Sequence, residues 1–396
     1  MKNREVEGMH GAMKKSLGIY IHIPFCIKKC AYCDFLSMPA TLEVQKEYVE
    51  ALIREIESYK TDAKYYEVQT IYFGGGTPSI LEAGHIEHIL NAIYDVFQVQ
   101  NKELLEITLE VNPGTVTMEK WMSYKMFGIN RISMGLQSTD NDELQVLGRI
   151  HTYEEFLNSF KMAREVGFYN INVDVMSALP GQTLENYKKS LENVVNLSPE
   201  HISSYSLIVE EGTRFWEDYR EGGKMFHLLP DEETERKMYL LTKEVLEKSG
   251  YSRYEISNYA KNGMESKHNS SYWTGVPYIG IGVGASSYLD NQRYQNKRDI
   301  KQYILYAGFR EKRICDIEVL SKEDMISEFM FLGLRRMCGV SKKEFFKRFQ
   351  ISMEEVYGDL LRELAEQKLL IYEDEKIYLT DYGIDVSNYV FSKFLL

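Results

Sequence analysis

Long apolar runs are missing from this sequence. No stretch reaches the roughly 18 to 20 uninterrupted apolar residues that a membrane-spanning helix needs. The opening MKNREVEGMHGAMKKS is charged and lacks the apolar centre of a secretory signal, so the expected location is the cytoplasm. Met9 and Met13 lie close together, and residues 1–16 read as a dispensable N-terminal segment. Cysteine is scarce as well, with 5 in 396 residues, three of them inside eight positions. A secreted disulfide scaffold would spread an even number along a short chain, so this cluster belongs to metal or redox chemistry. Positive charge is short too: 47 Lys and Arg face 59 Asp and Glu, a formal charge of −12. A nucleic-acid binder needs the opposite excess to replace phosphate counterions, so no nucleic-acid partner is expected beyond what a local basic groove could hold.

What is present is 44% hydrophobic residues in a chain long enough for two domains, or one large domain with an extension. From about residue 17, short β-rich runs alternate with helical patterns. GIYIHIPF (18–25) alternates, while Val44, Tyr48, Leu52 and Ile56 recur every four residues on one helix face. Further strands are expected at 69–73, 105–111, 130–134, 170–176 and 201–208. Six strands with long crossovers favour a parallel sheet, either open and doubly wound or a partial barrel. Both arrangements place function at the carboxyl ends of the strands. The motifs collect there: the cysteine loop, Gly74–Pro78, Asn112–Gly114, Gln137 and Leu179–Gly181. After about residue 315 the pattern becomes helical, with LLIYEDEKIYLT as a two-stranded ribbon. That arrangement is winged-helix-like, but acidic residues outnumber basic ones, which favours a packing lid or interaction surface over DNA binding.

The segment PFCIKKCAYCDF offers Cys26, Cys30 and Cys33. Structural zinc wants four ligands, and His22 or Asp34 could be offered as the fourth, yet no second Cys or His pair follows at finger spacing. Cys315 and Cys338 are isolated and read as small buried apolar residues. A [4Fe-4S] cube held by three thiolates leaves one iron open to an outside ligand, here S-adenosylmethionine (SAM). Gly280, Gly282 and Ala285 fit G-x-G-x-x-A, but no helix follows to present its amino end to a pyrophosphate, and a sheet edge or pocket wall explains them better.

Together with YIHIPFCIKKCAYCDF, the stretches FGGGTPSIL, EVNPGT, NRISMGLQS, LGRIHT, DVMSALPGQT, SYSLIVEEGT and RYEISNYA resemble the radical SAM family that holds the oxygen-independent coproporphyrinogen III oxidases and their haem-chaperone relatives. The likeness runs from about residue 17 to the end. It implies an α/β fold: a partial (β/α)6 radical SAM barrel over 17–290, a connecting segment at 291–315, and a mainly helical, winged-helix-like C-terminal domain at 316–396. It also implies that Cys26, Cys30 and Cys33 hold the cluster with Tyr20 and Tyr32 beside it. Gly75, Gly76 and Thr77 would meet the amino-acid end of SAM, since glycine lets backbone approach closely. Glu110, Gln137, Arg149 and Asp174 match polar positions around SAM. Singly, Glu110 also fits a strand-end cap, Arg149 a surface ion pair and Asp174 a satisfied strand residue.

Family oxidases typically extend the cysteine motif to C-x3-C-x2-C-x-C, and here Phe35 stands at the last position. The CDF form and HNSSYW (268–273) resemble the haem-chaperone branch, which implies haem as cargo, with His268, Tyr272 and Trp273 meeting it. The competing reading has His268 and Asn269 capping a turn and both aromatics in the core. The leading expectation is therefore a haem chaperone that passes haem to acceptor haemoproteins, membrane-associated ones included. The alternatives are an oxidase decarboxylating coproporphyrinogen III and a structural metal protein with a winged-helix binding role. Flavodoxin or ferredoxin is the expected electron donor if SAM is cleaved, and a homodimer is a further expected partnership.

Overall fold

The β-rich run after residue 14 is buried on both faces, with Leu17, Ile19, Ile21 and Ile23 wholly enclosed, as a central parallel strand requires. The computed structural model describes residues 14–396. Most of the proposed segment 1–16, with Met9 and Met13, lies outside the described residues, while Lys15 and Ser16 already belong to the first strand.

Strands β1 (Lys15–Ile23), β2 (Tyr66–Gly75), β3 (Glu106–Val111), β4 (Arg131–Gln137), β5 (Ile171–Ser177) and β6 (His201–Ser206) are successive parallel neighbours. Each is followed by helix, for example Leu42–Glu57, Ala83–Phe97 and Leu184–Leu197, capped by a Thr side chain at Thr41 and Thr183. Short antiparallel strands β7 (Ser252–Arg253) and β8 (Asn258–Ala260) extend the sheet beyond β6. On the other side β9 (Tyr278–Ile281) runs parallel to β1, and β10 (Ser286–Leu289), β11 (Gln292–Asn296) and β12 (Ile314–Val319) continue as an antiparallel meander. The twelve-stranded sheet keeps two edges, β12 and β7, so its six central β/α units form a barrel that does not close.

Residues 291–315 contain β11, two short helices and the start of β12. They are fastened to the helix Leu42–Glu57 through Glu55, a wholly buried carboxylate. It pairs with Arg313 at 3.0 Å and accepts from Asn296 at 2.8 Å, the Gly282 amide at 2.9 Å and the Tyr303 hydroxyl. Removing one partner would leave a buried charge uncompensated, so the cluster resists piecemeal change.

The C-terminal residues have an apolar core of their own, built on Met330, Phe345, Leu361, Leu364, Ile377 and Phe394. Helices Lys322–Gly333, Lys342–Phe349 and Met353–Glu366 surround β13 (Val340–Ser341), β14 (Leu370–Tyr372) and β15 (Lys376–Leu379). The expected ribbon is β14–β15, with β13 as a third strand. No helix among the described residues is long and apolar enough to cross a membrane.

Candidate functional site

The loop after β1 is closed at its base by a backbone bridge: Cys26 N–H donates to Met38 O at 3.1 Å, and Met38 N–H to Pro24 O at 2.7 Å. Two further bonds pin its middle, Ala31 N–H to Leu147 O and Phe215 N–H to Ala31 O, each 3.0 Å. A short loop held at three points keeps its thiols in place. Cys26, Cys30 and Cys33 are unpaired, partly exposed, and line one open cavity of about 570 Å3. Burial pushes the Cys33 thiol up, and Arg149 Nη1 lies 3.6 Å from Cys30 Sγ. Among the described residues no three His, Cys, Asp or Glu side chains gather closely enough to hold one metal ion. That geometry does not suit a single zinc, whereas a cube spreads three sulfurs over three irons.

Gly75, Gly76 and Thr77 form the facing loop. A Cβ on Gly76 would stand 2.7 Å from Phe25 O, and Gly75 has φ +110, so both positions require glycine. The amides of this loop are already committed: Gly75 N–H donates to Glu110, Gly76 N–H to Ile23 O and Thr77 N–H to Phe25 O. What the loop can still present to a ligand is carbonyl oxygen, which together with a carboxylate suits an ammonium group.

The rest of the wall follows strand parity. Successive side chains alternate across a sheet, so every second residue faces the cavity. On β4 these are Arg131, Ser133, Gly135 and Gln137; on β5, Asn172, Asp174 and Met176; on β6, Ser203 and Tyr205. Tyr72 and Glu110 add the carboxyl halves of β2 and β3. Arg149 donates to Gly135 O at 2.7 Å and to Asn112 Oδ1, which places it in the wall and not in a surface ion pair. Asp174 accepts from Asn172 at 2.7 Å, and burial pushes its carboxyl up. Gln137 accepts from the Tyr205 hydroxyl at 3.0 Å. Glu110 accepts from Tyr72 at 2.8 Å, yet burial, with Asp174 adding to it, raises its carboxyl to about 7.

Thus the cavity gathers Cys26, Cys30, Cys33, Tyr32, Gly75, Gly76, Thr77, Glu110, Gln137, Arg149 and Asp174. Thr77 Oγ1 lies 3.4 Å from Cys26 Sγ. Tyr20 stands outside the wall, its hydroxyl 3.0 Å from His22 Nδ1 and its ring stacked against Tyr72. Reasoning from motifs passed over Tyr72, Arg131, Asn172, Ser203 and Tyr205. Their alternation within strands already recognised was the signal.

His268 is different. It is 1% exposed in the helix Lys267–Trp273, with Nδ1 2.8 Å from Thr70 Oγ1 and Nε2 2.9 Å from the Tyr272 hydroxyl. Its ring stacks on Tyr72 at 5.0 Å, and burial lowers its pKa to about 3. As folded, both ring nitrogens already have a hydroxyl partner. The cap of this helix is Ser266, and Glu106 accepts both the Lys267 and His268 amides. Tyr272 and Trp273 do not reach the cavity. They line a tight seam of about 60 Å3 against the C-terminal helices, where Arg335 lies 4.4 Å over the Trp273 ring. Asn269 alone of HNSSYW lines the large cavity.

Cys338, expected to be buried, is exposed in the turn before β13, and Cys315 is half-buried with Sγ 3.4 Å from Gln295 O. Of the glycine motif at 280–285, Gly280 lies in β9 while Gly282 and Ala285 belong to the turn to β10, and none of the three lines the cavity.

Comparison with known proteins places this geometry in a lineage. The profile of the Radical SAM superfamily matches residues 20–194, and that of the HemN C-terminal domain matches residues 320–386. The chain is 41% identical to the heme chaperone HemW of Lactococcus lactis, over 97% of this chain and 98% of the relative. It is 38% identical to HemW of Bacillus subtilis, over 95% and 98%. The solved structure of Escherichia coli coproporphyrinogen III oxidase, HemN, superposes with a TM-score of 0.80 at 22% identity, covering 96% of this chain and 90% of that one, a likeness of fold. The chain therefore belongs to the radical SAM family of oxygen-independent coproporphyrinogen III oxidase-like proteins, in its haem-chaperone (HemW) branch.

Proposed function

We propose that this protein is a cytoplasmic haem chaperone, which carries a [4Fe-4S] cluster on Cys26, Cys30 and Cys33, holds SAM in the adjoining cavity, and delivers haem to acceptor haemoproteins. The observation that carries the reading is the convergence of three unpaired thiols, the half-buried carboxylates of Glu110 and Asp174 and the half-buried Arg149 guanidinium on one open cavity. With one iron uncommitted, the cluster would supply a coordination site for the amino and carboxylate groups of SAM, and on reduction the electron that cleaves its sulfonium bond.

The chain's own residues prepare that cavity. Glu110 and the carbonyl oxygens of the glycine loop would accept from the N–H groups of the SAM amino group. Gln137 and Asp174 offer hydrogen bonds to the polar sugar, and Arg149 supplies positive charge beside the Cys30 sulfur. The chaperone reading is supported over the oxidase by Phe35, where the oxidases typically have a fourth cysteine, and by relatives that carry the chaperone name at 38–41% identity.

Two assays on one anaerobically reconstituted sample test it. Iron and sulfide content with electron paramagnetic resonance reports the cluster, and haem titration beside coproporphyrinogen turnover reports the activity. A saturable Soret change without protoporphyrinogen formation is expected. SAM-dependent protoporphyrinogen formation without haem binding would transfer the protein to the oxidases.

A further inference from the structure

Among the cavities formed by the described residues, the one at the carboxyl ends of the strands suits a flat, dianionic cargo. The seam beside Trp273 is too small, and its neighbour His268 is saturated. A groove of about 460 Å3 at the opposite end of the strands is bordered by Glu87 and Glu103, with Lys102 folded over the Tyr94 ring 4.0 Å away. Its charge is wrong for a dicarboxylate.

The mouth of the large cavity differs from both. Phe35 and Ile208 line it from two separate loops, and each is 67% exposed. Ile27, on the cysteine loop, is 58% exposed. Large apolar side chains gathered in water around one opening mark a binding surface. Lys28 and Lys29 line the same rim; Lys29 Nζ donates to Phe35 O at 2.9 Å, and Lys28 has no ion-pair partner among the described residues. Asp34 and Glu210 also line the rim, so the adjacent lysine pair marks the edge at which two carboxylates would be received.

We infer that haem lies across this mouth, its ring against Phe35 and Ile208 and its two propionates toward Lys28 and Lys29. The placement rests on the haem-chaperone reading above. No histidine lines the cavity, and its three thiols are those assigned to the cluster. Haem held here keeps an iron coordination position open for a ligand of the acceptor, which is what onward transfer requires. Phe35, two residues beyond Cys33, becomes a contact for cargo in place of a fourth thiol.

The test is haem titration of the reconstituted full chain and of three variants: Phe35→Ala/Ile208→Ser, Lys28→Glu/Lys29→Glu, and Tyr272→Phe. Iron and sulfide content checks that each keeps its cluster. The first two are expected to bind haem about tenfold or more weakly, through lost apolar contact and reversed charge, with unchanged iron content. Tyr272→Phe, which touches only the His268 side of the molecule, should bind as the unaltered chain does. Unchanged affinity in both rim variants, or loss confined to Tyr272→Phe, overturns the placement. Failure of the unaltered chain to bind haem at all removes the chaperone reading, and the placement with it.

Discussion

The cysteine loop and the helix Lys267–Trp273 are both short, both dense in heteroatoms and aromatics, and both conspicuous in the sequence. Folding treats them in opposite ways. The loop is fixed through its backbone, so its thiols, its lysines and Phe35 remain available to the cavity and to solvent. The helix is fixed through its signature side chain as well as through the amides that Glu106 accepts: His268 uses both nitrogens on Thr70 and Tyr272, and its ring on Tyr72. Here the loop leaves its signature side chains free for the cavity, whereas the helix spends His268 on its own anchoring. His268 is better understood as the post against which Tyr72, and through it Glu110, is set.

Three substitutions would break or sharpen this contrast. Cys30→Ala should have the largest effect, loss of the cluster's iron and visible absorption while far-ultraviolet dichroism is kept, because Arg149, which touches that sulfur, stays held by Gly135 O and Asn112. A folded Cys30→Ala chain that retained its iron would end the three-thiolate assignment. His268→Ala should do the reverse. It would lower stability by about 2–4 kcal/mol in denaturant unfolding, through a cavity and two stranded hydroxyls, and leave haem affinity unchanged. Because His268 is held neutral down to about 3 while an unfolded histidine titrates near 6.5, its share of stability is full above 6.5 and declines as pH falls toward 3. His151, also held near 3 by burial and Arg149, should account for part of the acid sensitivity left in the variant. The smallest effect belongs to Glu110→Gln, a loss of roughly tenfold in SAM affinity at pH 8, as expected for one charge-assisted hydrogen bond. With the Glu110 carboxyl near 7, SAM binding by the unaltered chain should strengthen as pH rises through 7, and the variant's should not. Calorimetric titration at pH 6 and 8 would show a parallel pH response in both if Glu110 is not the partner of the SAM amino group.

Much of the site could be read from residue order alone. Period-two runs ending in glycine, proline or asparagine locate β1 to β6 and the loops beyond them, and those loops converge because parallel strands share one carboxyl end. The inward polar row of Arg131, Ser133, Gly135 and Gln137 was readable by the same rule. The fate of His268 was not, since its partner Thr70 is 198 positions away and nothing local announces that contact. Nor does a hydrophobic pattern reveal that residues 291–315 complete the main core, which depends on Arg313 reaching Glu55 across the chain. The exposure of Cys338 was hidden for a related reason: cysteine is usually buried, but a turn overrides the habit of its residue type.

The parallel pairing of β9 with β1 bears on how the molecule is made. Gly18 meets Tyr278, a partner about 260 positions later, so one flank of the first strand stays bare during most of synthesis. At about 5–20 residues per second the cysteine loop emerges roughly ten to fifty seconds before its strand is locked. During that interval the flank of β1 from Gly18 to Ile21 has no strand partner on that side, although the loop beyond it can already be held by Met38, Leu147 and Phe215.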